Sequence, residues 1–520
     1  MDDQKTARPS RRSGGRNARK MMRAAPLAAD MRPVRPGMTG GQYKPLTEAE
    51  VVRIHEAAVQ ILEEIGLSLA PESGVKAMRA YGAVYSPKDE RIRFPRTIID
   101  KALKDANRQM TLFARDPKHD LTLSGTRVHY GTAGAAVHLA NLQTGEYEES
   151  TLEHLFQAAK IVDHLDNVHF FQRCLIARDI TDNRAMDLNT LYASIVGTTK
   201  HIGTAFTEDA FAHDCIDMLH MVAGGEAAWR ARPFVLNSNC FVVPPLKFAT
   251  ESCEVMETCI KAGMPVLLLS AGQAGATAPA PLAGALAQAV AECLAGLVYV
   301  QAIQPGAPAV FGTWPFVADL RSGAMCSGSA EQAILTAACA QMGQHYDLPT
   351  GAPGGMADAK FPDAQAGSEH GIGNVTAGLA GLNMVYEAAG MYGSLLGFSL
   401  EGLIIDNDVL GQCLRTVRGL EVSDENLDIE RIKSVCLEGP GHYLSEAQTL
   451  AKMQTEYFYP ELSDRLSPKE WAEVGKPELI AAAVKKKDQI LAGRTSAALS
   501  PELDQRIRET FPIYLPKELL

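Results

Sequence analysis

Between about residue 126 and residue 405 the chain repeats one pattern eight times: an apolar run, a Gly or polar turn, then in most cases a helix-length stretch. The runs are Val128–Gly131, Val168–Arg173, His201–Phe206, Phe234–Cys240, Val266–Ser270, Ala309–Thr313, Leu348–Ala352 and Met384–Ala389. Leu282–Ile303 and the stretch from Ala330 to Tyr346, capped by Ser329, are the clearest helices between them. Eight strands alternating with helices over this length predict an α/β fold, a TIM (β/α)8 barrel. A doubly wound open sheet has the same alternation and stays open as the rival. No GxGxxG is followed by an acidic residue at the required distance, so a dinucleotide site has no support.

The rest of the chain divides around this body. Residues 1–40 form a basic arm, 41–125 an N-terminal α+β extension, 126–405 the catalytic barrel and 406–520 a C-terminal helical extension. A capping-box pattern at Thr47-Glu48-Ala49-Glu50 opens an amphipathic helix. A second helix follows Pro95-Arg96, and Pro468–Glu473 and Pro477–Leu491 read as helices of the C-terminal part.

Charge excludes some functions. The 520 residues carry a net −11, which argues against general nucleic-acid binding. The first 40 residues are +7, leaving −18 for the remainder. Such an arm suits draping over the acidic body of a second subunit, and hence a homo-oligomer. The ten cysteines form no CxxC pair or zinc-type cluster. Cys174, Cys240, Cys293 and Cys339 sit singly in apolar contexts, as reduced thiols of a cytoplasmic protein do. The longest apolar region, about 375–400, is broken by Asn383 and Glu387, so no membrane span is expected.

In an α/β barrel the reactive groups lie at the C-terminal ends of strands. That rule selects Tyr130-Gly131-Thr132, Gln172-Arg173, Asn237-Ser238-Asn239, Gly312-Thr313-Trp314, the loop Asp319–Gly323 and the loop from Gly351 to Gly367. The last holds Gly354-Gly355-Met356-Ala357-Asp358-Ala359-Lys360, then Asp363, Gln365 and Gly367. Its glycines allow close approach of the backbone to a ligand, or a positive φ.

Several segments together resemble one family. They are Gly275-Ala276-Thr277-Ala278-Pro279, Leu282-Ala283-Gly284-Ala285-Leu286, Ala291-Glu292-Cys293-Leu294-Ala295-Gly296 and Gln304-Pro305-Gly306-Ala307-Pro308. Asp319–Gly323 with Gly328 and Glu331, and the loop around Met356, belong to the same set. The likeness is to the trimethylamine:corrinoid methyltransferase family and runs from about residue 45 to 460. Founding members carry pyrrolysine in the loop where Met356 stands here, so the chain looks like the non-pyrrolysine branch.

The resemblance implies a barrel that moves a methyl group from a quaternary amine, such as glycine betaine, to the Co(I) of a corrinoid (cobalamin) carried by a partner protein. It implies no intrinsic metal. A quaternary ammonium already leaves as a neutral amine, so a residue without an electrophilic group, such as Met356, suits it. Orientation of methyl and cobalt is then the main catalytic task.

On that reading Met356, Asp358 and Lys360 are the catalytic candidates. Tyr130 and Trp314 supply aromatic faces for the cation, with Phe316 and Phe361 more readily core. Arg321 is the candidate for a substrate carboxylate, with a salt bridge to Asp319 as the alternative. Asp363 either rims the cation or caps the next helix, and capping is preferred. Gln365 and Asn239 complete the polar set, and His201 and His370 are reserves at the mouth. Two other classes stay open: a lyase using Lys360 as Schiff base or Asp358 as base, and a betaine-type binding protein without catalysis.

Overall fold

The computed structural model describes residues 27–439, 441–444 and 446–520. Most of the basic arm therefore lies outside the described residues. All eight expected strands are present: β1 Arg127–Tyr130, β2 Phe170–Gln172, β3 His201–Thr204, β4 Val235–Asn237, β5 Val266–Ser270, β6 Ala309–Thr313, β7 Gly351–Pro353 and β8 Met384–Tyr386. Each is followed by a long helix: α1 Leu152–Asp163, α2 Asn183–Gly197, α3 Asp209–Ala223, α4 Thr250–Lys261, α5 Leu282–Ile303, α6 Ala330–His345, α7 Ala364–Ala380 and α8 Leu400–Arg418. These supply the crossovers that parallel neighbours require.

Strands β2 to β6 form a curled, five-stranded parallel sheet in chain order. A second sheet holds β7, β8 and β1, also parallel, with the short strand Met38–Thr39 antiparallel on β1. Two parallel bridges, Gly131 to Phe170 and Phe311 to Thr350, join the sheets at both edges. Val266–Ser270 and Ala309–Thr313 pair over five residues, Val266 against Ala309 and Ser270 against Thr313.

Apart from the exposed Arg127 and the partly buried Leu269, the strand residues are buried, which is why the strands read as apolar runs. Helix α5 is the one helix among the described residues long and apolar enough to cross a membrane, and 89% of its most apolar window is buried in the protein. The most membrane-like stretch is therefore α5 rather than the region 375–400, which is cut into α7, β8 and a short hairpin, Met391–Tyr392 with Gly397–Phe398.

Local sequence accounts for the helix starts. Thr47 and Glu50 form the expected capping box at the head of Glu48–Glu64. Ser329 caps α6 and Asp363 caps α7 through its bond from the Ala366 N–H. Pro468–Glu473 forms as read, and the next helix runs Leu479–Ala492. Helix α8 continues unbroken through residues 405 and 406.

The described chain separates into two compact units. The larger holds Pro36–Arg418 and Pro460–Leu520 and contains all eight strands. The smaller contains Gly419–Tyr459, with the short helices Asp424–Leu427, Ile429–Lys433 and Ala447–Thr455. Arg431 ties it together internally by pairing with Asp428 and Glu446.

The glycines of the 354–367 loop do a different task from the one expected. Neither Gly354 nor Gly355 has a positive φ. Both press against α7: a Cβ on Gly355 would meet Asn374 Nδ2 at 2.1 Å, and one on Gly373 would meet the Gly354 carbonyl oxygen at 1.9 Å. The close approach is between loop and helix, not loop and ligand. A backbone oxygen cannot rotate aside, so Gly373→Ala is expected to destabilise the protein by about 2–3 kcal/mol, read as a lower denaturant midpoint.

Candidate functional site

The C-terminal ends of β2, β4, β5 and β6 and the residue after β8 converge on one cavity of about 180 Å³. Arg173, Ser238, Cys240, Trp314, Phe316 and Glu387 line it. Each directly follows its strand or lies within a few residues of its end, so the sheet itself fixes their positions.

Glu387 is the most unusual group. It is 3% exposed, and its Oε2 has no hydrogen-bond partner among the described residues. Its backbone sits at φ +55°, a left-handed conformation that a glutamate rarely adopts. Burial pushes its carboxyl up to about 8, with the Trp314 indole acting against the rise. Three other buried carboxylates are well partnered. Glu292 accepts from Leu246 N and Ser270 Oγ. Asp406 accepts from His370 and Gly390 N, and Asp408 takes three backbone N–H groups of Glu461, Leu462 and Ser463. An unpartnered buried carboxylate costs free energy, and strain of this kind collects at working sites.

Arg173 follows β2, with its backbone N–H on the Gly203 carbonyl at 2.9 Å. Its Nε is buried and unpartnered. Burial lowers its pKa, and Asp187 is the main charge opposing that. Asp187 itself is held by the N–H and hydroxyl of Thr207. Cys240 stands close enough to feel both Arg173 and Glu387, and burial pushes its thiol up to about 11. It is nonetheless accessible, because its open side is the cavity. Trp314 is 2% exposed and packs on Tyr386 at 4.8 Å between ring centroids.

The other expected site residues are placed as follows. Trp314 reaches the cavity, and so does Phe316, whose expected place is the core. Tyr130 does not: it is fully buried, and its hydroxyl donates to the Asn374 carbonyl. Asn239 is spent on the backbone of Phe206, both N–H and carbonyl. His201 opens β3, so it lies at the N-terminal end of the strand rather than the mouth, with Nδ1 on the Phe113 carbonyl. His370 is buried in α7, its two ring nitrogens facing Asp406 and the Met391 carbonyl. Tyr130, Asn239 and His370 are held by buried bonds, and His201, whose Nε2 has no partner, lies at the strand end away from the cavity.

Arg321 points into solvent, its side chain 91% exposed, and forms a two-point pair with Asp319. A surface fork screened by water is a weak carboxylate grip, so the role expected of Arg321 is corrected. Asp363 caps α7, and Gln365 bonds Glu369 at 2.8 Å on the surface.

Met356 is 2% exposed and absent from the cavity wall. Lys360 is exposed, and its ammonium donates to the Asp358 carbonyl. Asp358 is a structural clasp: it accepts from Ser327 N at 2.7 Å, Ser394 Oγ at 2.6 Å, Ser327 Oγ and Cys326 Sγ. Burial raises its pKa, but these bonds outweigh it and leave the carboxyl low. Asp358→Ala strands several donors, and a loss of about 2–4 kcal/mol is expected, measured as thermal destabilisation.

Glu387 is the functional candidate that sequence reasoning passed over. It is the one charged residue in the apolar run 375–400 and sits just past a strand. That combination was signal enough. Among the described residues no three His, Cys, Asp or Glu side chains are grouped to hold a metal ion.

A parallel α/β sheet whose strand ends enclose a small cavity with an aromatic wall, a guanidinium and a carboxyl group, each with an unpartnered buried atom, is the arrangement of an enzyme for a small polar substrate. Comparison with known proteins gives the particular family. Residues 12–514 match the family model described as trimethylamine methyltransferase (MTTB). The chain belongs to this family and is a methyltransferase. It is 32% identical over 470 residues to a glycine betaine methyltransferase of Desulfitobacterium hafniense (strain Y51), covering 90% of this chain and 96% of that one. It is 29% identical to the trimethylamine methyltransferase MttB of Methanosarcina thermophila, covering 87% and 94%. Among solved structures, the monomethylamine methyltransferase MtmB of Methanosarcina barkeri gives a TM-score of 0.46 at 10% identity, covering 85% and 98%.

Proposed function

We propose that the protein transfers a methyl group from a quaternary amine to the Co(I) of a corrinoid carried by a partner protein. The observation that carries this reading is the cavity, in which Glu387 faces an aromatic wall of Trp314 and Phe316. A carboxylate beside aromatic faces is a site for an organic cation. The 32% identity to a glycine betaine methyltransferase supports the same class of substrate.

The eight strands, sequential and parallel with β8 on β1, constitute a closed (β/α)8 barrel in this reading. The sequential order is what a doubly wound sheet would lack. Residues 126–405 then form the catalytic body, with 41–125 and 406–520 as extensions, and the cavity lies at the mouth where the partner docks. Free thiols at all ten cysteines suit a cytoplasmic enzyme.

In the step itself the methyl–nitrogen bond breaks and its electron pair stays on nitrogen. The acceptor's electron pair forms the new bond to carbon, and no proton moves. A cation thus becomes a neutral tertiary amine without an acid catalyst. The chain's residues bind the cation, hold one methyl towards the mouth and exclude water. Neither Lys360 as Schiff base nor Asp358 as base fits, because one is on the surface and the other is locked in its clasp.

Incubation with a deuteromethyl quaternary amine tests the reading. Label is expected on the corrinoid, with one equivalent of tertiary amine, only when the reduced corrinoid protein is present. Tertiary amine formed without a corrinoid would reject it. The basic arm is assigned to contact with a second copy. Removing residues 1–40 is expected to shift the protein to a smaller species in light scattering while leaving the single-turnover rate unchanged.

A further inference from the structure

We propose that Arg173 and Glu387 are a specificity-determining pair that selects a short zwitterion, its carboxylate on the Arg173 guanidinium and its quaternary ammonium against Glu387. The proposal deepens the function above and rests on it only for the identity of the cation.

Arg173 is cationic and Glu387 can ionise to an anion; both line the same cavity, yet they form no ion pair with each other among the described residues. Arg173 makes no side-chain hydrogen bond there, and its buried Nε is unpartnered. Glu387 Oε2 is unpartnered too. Asp187, the main countercharge felt by Arg173, is already bonded to Thr207. Buried ionic groups are ordinarily paired, and a ligand bearing both complementary charges would satisfy both at once. Cys240 lines the same cavity.

The cavity limits the ligand's size. About 180 Å³ suits a compact molecule with its two charges close together. Arg173 offers a planar fork that matches a carboxylate, a geometry an amine or alcohol cannot use. A singly charged amine would leave Arg173 buried and unpaired, which is the stronger basis of discrimination.

Titration calorimetry on the full-length protein, without corrinoid, separates the two ends of the ligand. The probes are glycine betaine, choline, and 3,3-dimethylbutyrate, in which carbon replaces the charged nitrogen. Glycine betaine is expected to bind roughly 100-fold more tightly than either of the others. Arg173→Gln should bring glycine betaine and choline to similar affinity, weakening glycine betaine without weakening choline. Glu387→Gln should weaken glycine betaine and choline while sparing 3,3-dimethylbutyrate. Choline binding as tightly as glycine betaine to the unaltered protein would overturn the proposal, and so would equal losses of both ligands in Arg173→Gln. If either variant fails to fold, the ligand series on the unaltered protein still decides. Tight selective binding without methyl transfer would reject the proposed function and keep this pair; methyl transfer at equal kcat/KM from choline and glycine betaine would do the reverse.

Discussion

Glu387→Gln is expected to lower kcat/KM for a quaternary amine by roughly 10- to 100-fold, the size of one charge-assisted contact in a buried site. The more telling change is in the pH profile. With its carboxyl pushed up to about 8 by burial, Glu387 is mostly protonated in the free protein at neutral pH. A cation binds the ionised form, so binding must expel that proton. Affinity should therefore rise about tenfold per pH unit below 8 and level off above it. A guanidinium such as that of Arg173 stays charged across this range, and burial pushes the Cys240 thiol up to about 11. Neither produces a slope below 8. The Gln variant should be flat. Proton release measured by calorimetry in buffers of different ionisation heat checks this directly, and release equal in wild type and variant would remove Glu387 from the site.

Acidification should unfold the protein through three buried histidines on and beside the N-terminal ends of the strands. Burial lowers His129 and His201 to about 4 and holds His169 well below the ordinary histidine value. His129 places Nδ1 on the Asn383 carbonyl, and His169 accepts the Tyr130 N–H on its Nδ1. All three are neutral in the fold and charge readily once unfolded. A folded pKa below the unfolded value of 6.5 means that stability is fully present above pH 6.5 and falls as pH drops towards 4. At 1.36 kcal/mol per unit, His129 and His201 each contribute about 3 kcal/mol over that window.

His370 runs the other way. Burial lowers its pKa, but Asp406 outweighs that and raises it, so its contribution is present at low pH and is lost as pH rises through its folded value. Denaturant midpoints between pH 7 and 4.5 should fall steeply, and His129→Asn should flatten the slope. A midpoint independent of pH would show that these histidines are not held neutral.

The strands were readable because burial on both faces forces unbroken apolar runs, and Val266–Ser270 and Ala309–Thr313 were located to the residue. Helix starts were readable where a side chain closes a local bond, as at Thr47, Ser329 and Asp363. The site was less so. The strand-end rule includes Gln172-Arg173, Ser238 and Trp314, which line the cavity, but the polar residues between Met356 and Gln365 give the denser sequence signal. Those groups satisfy one another: Asp358 clasps Ser327 and Ser394, Lys360 bonds back to Asp358, and Gln365 bonds Glu369. Local density of polar residues marks a self-bonded loop as readily as a site. Glu387 shows the opposite pattern, a charge isolated among apolar neighbours with nothing local to bond. His201 was misplaced for want of direction: a residue that opens a parallel strand lies at the end away from the mouth.

The most direct measurement is the Co(I) absorbance of a reduced corrinoid protein mixed with this enzyme and one amine at a time. Glycine betaine should abolish the band in a single turnover, while trimethylamine and choline leave it in place. A band that persists with glycine betaine and every other quaternary amine, on a corrinoid partner shown to be methylatable, would contradict the proposed reaction.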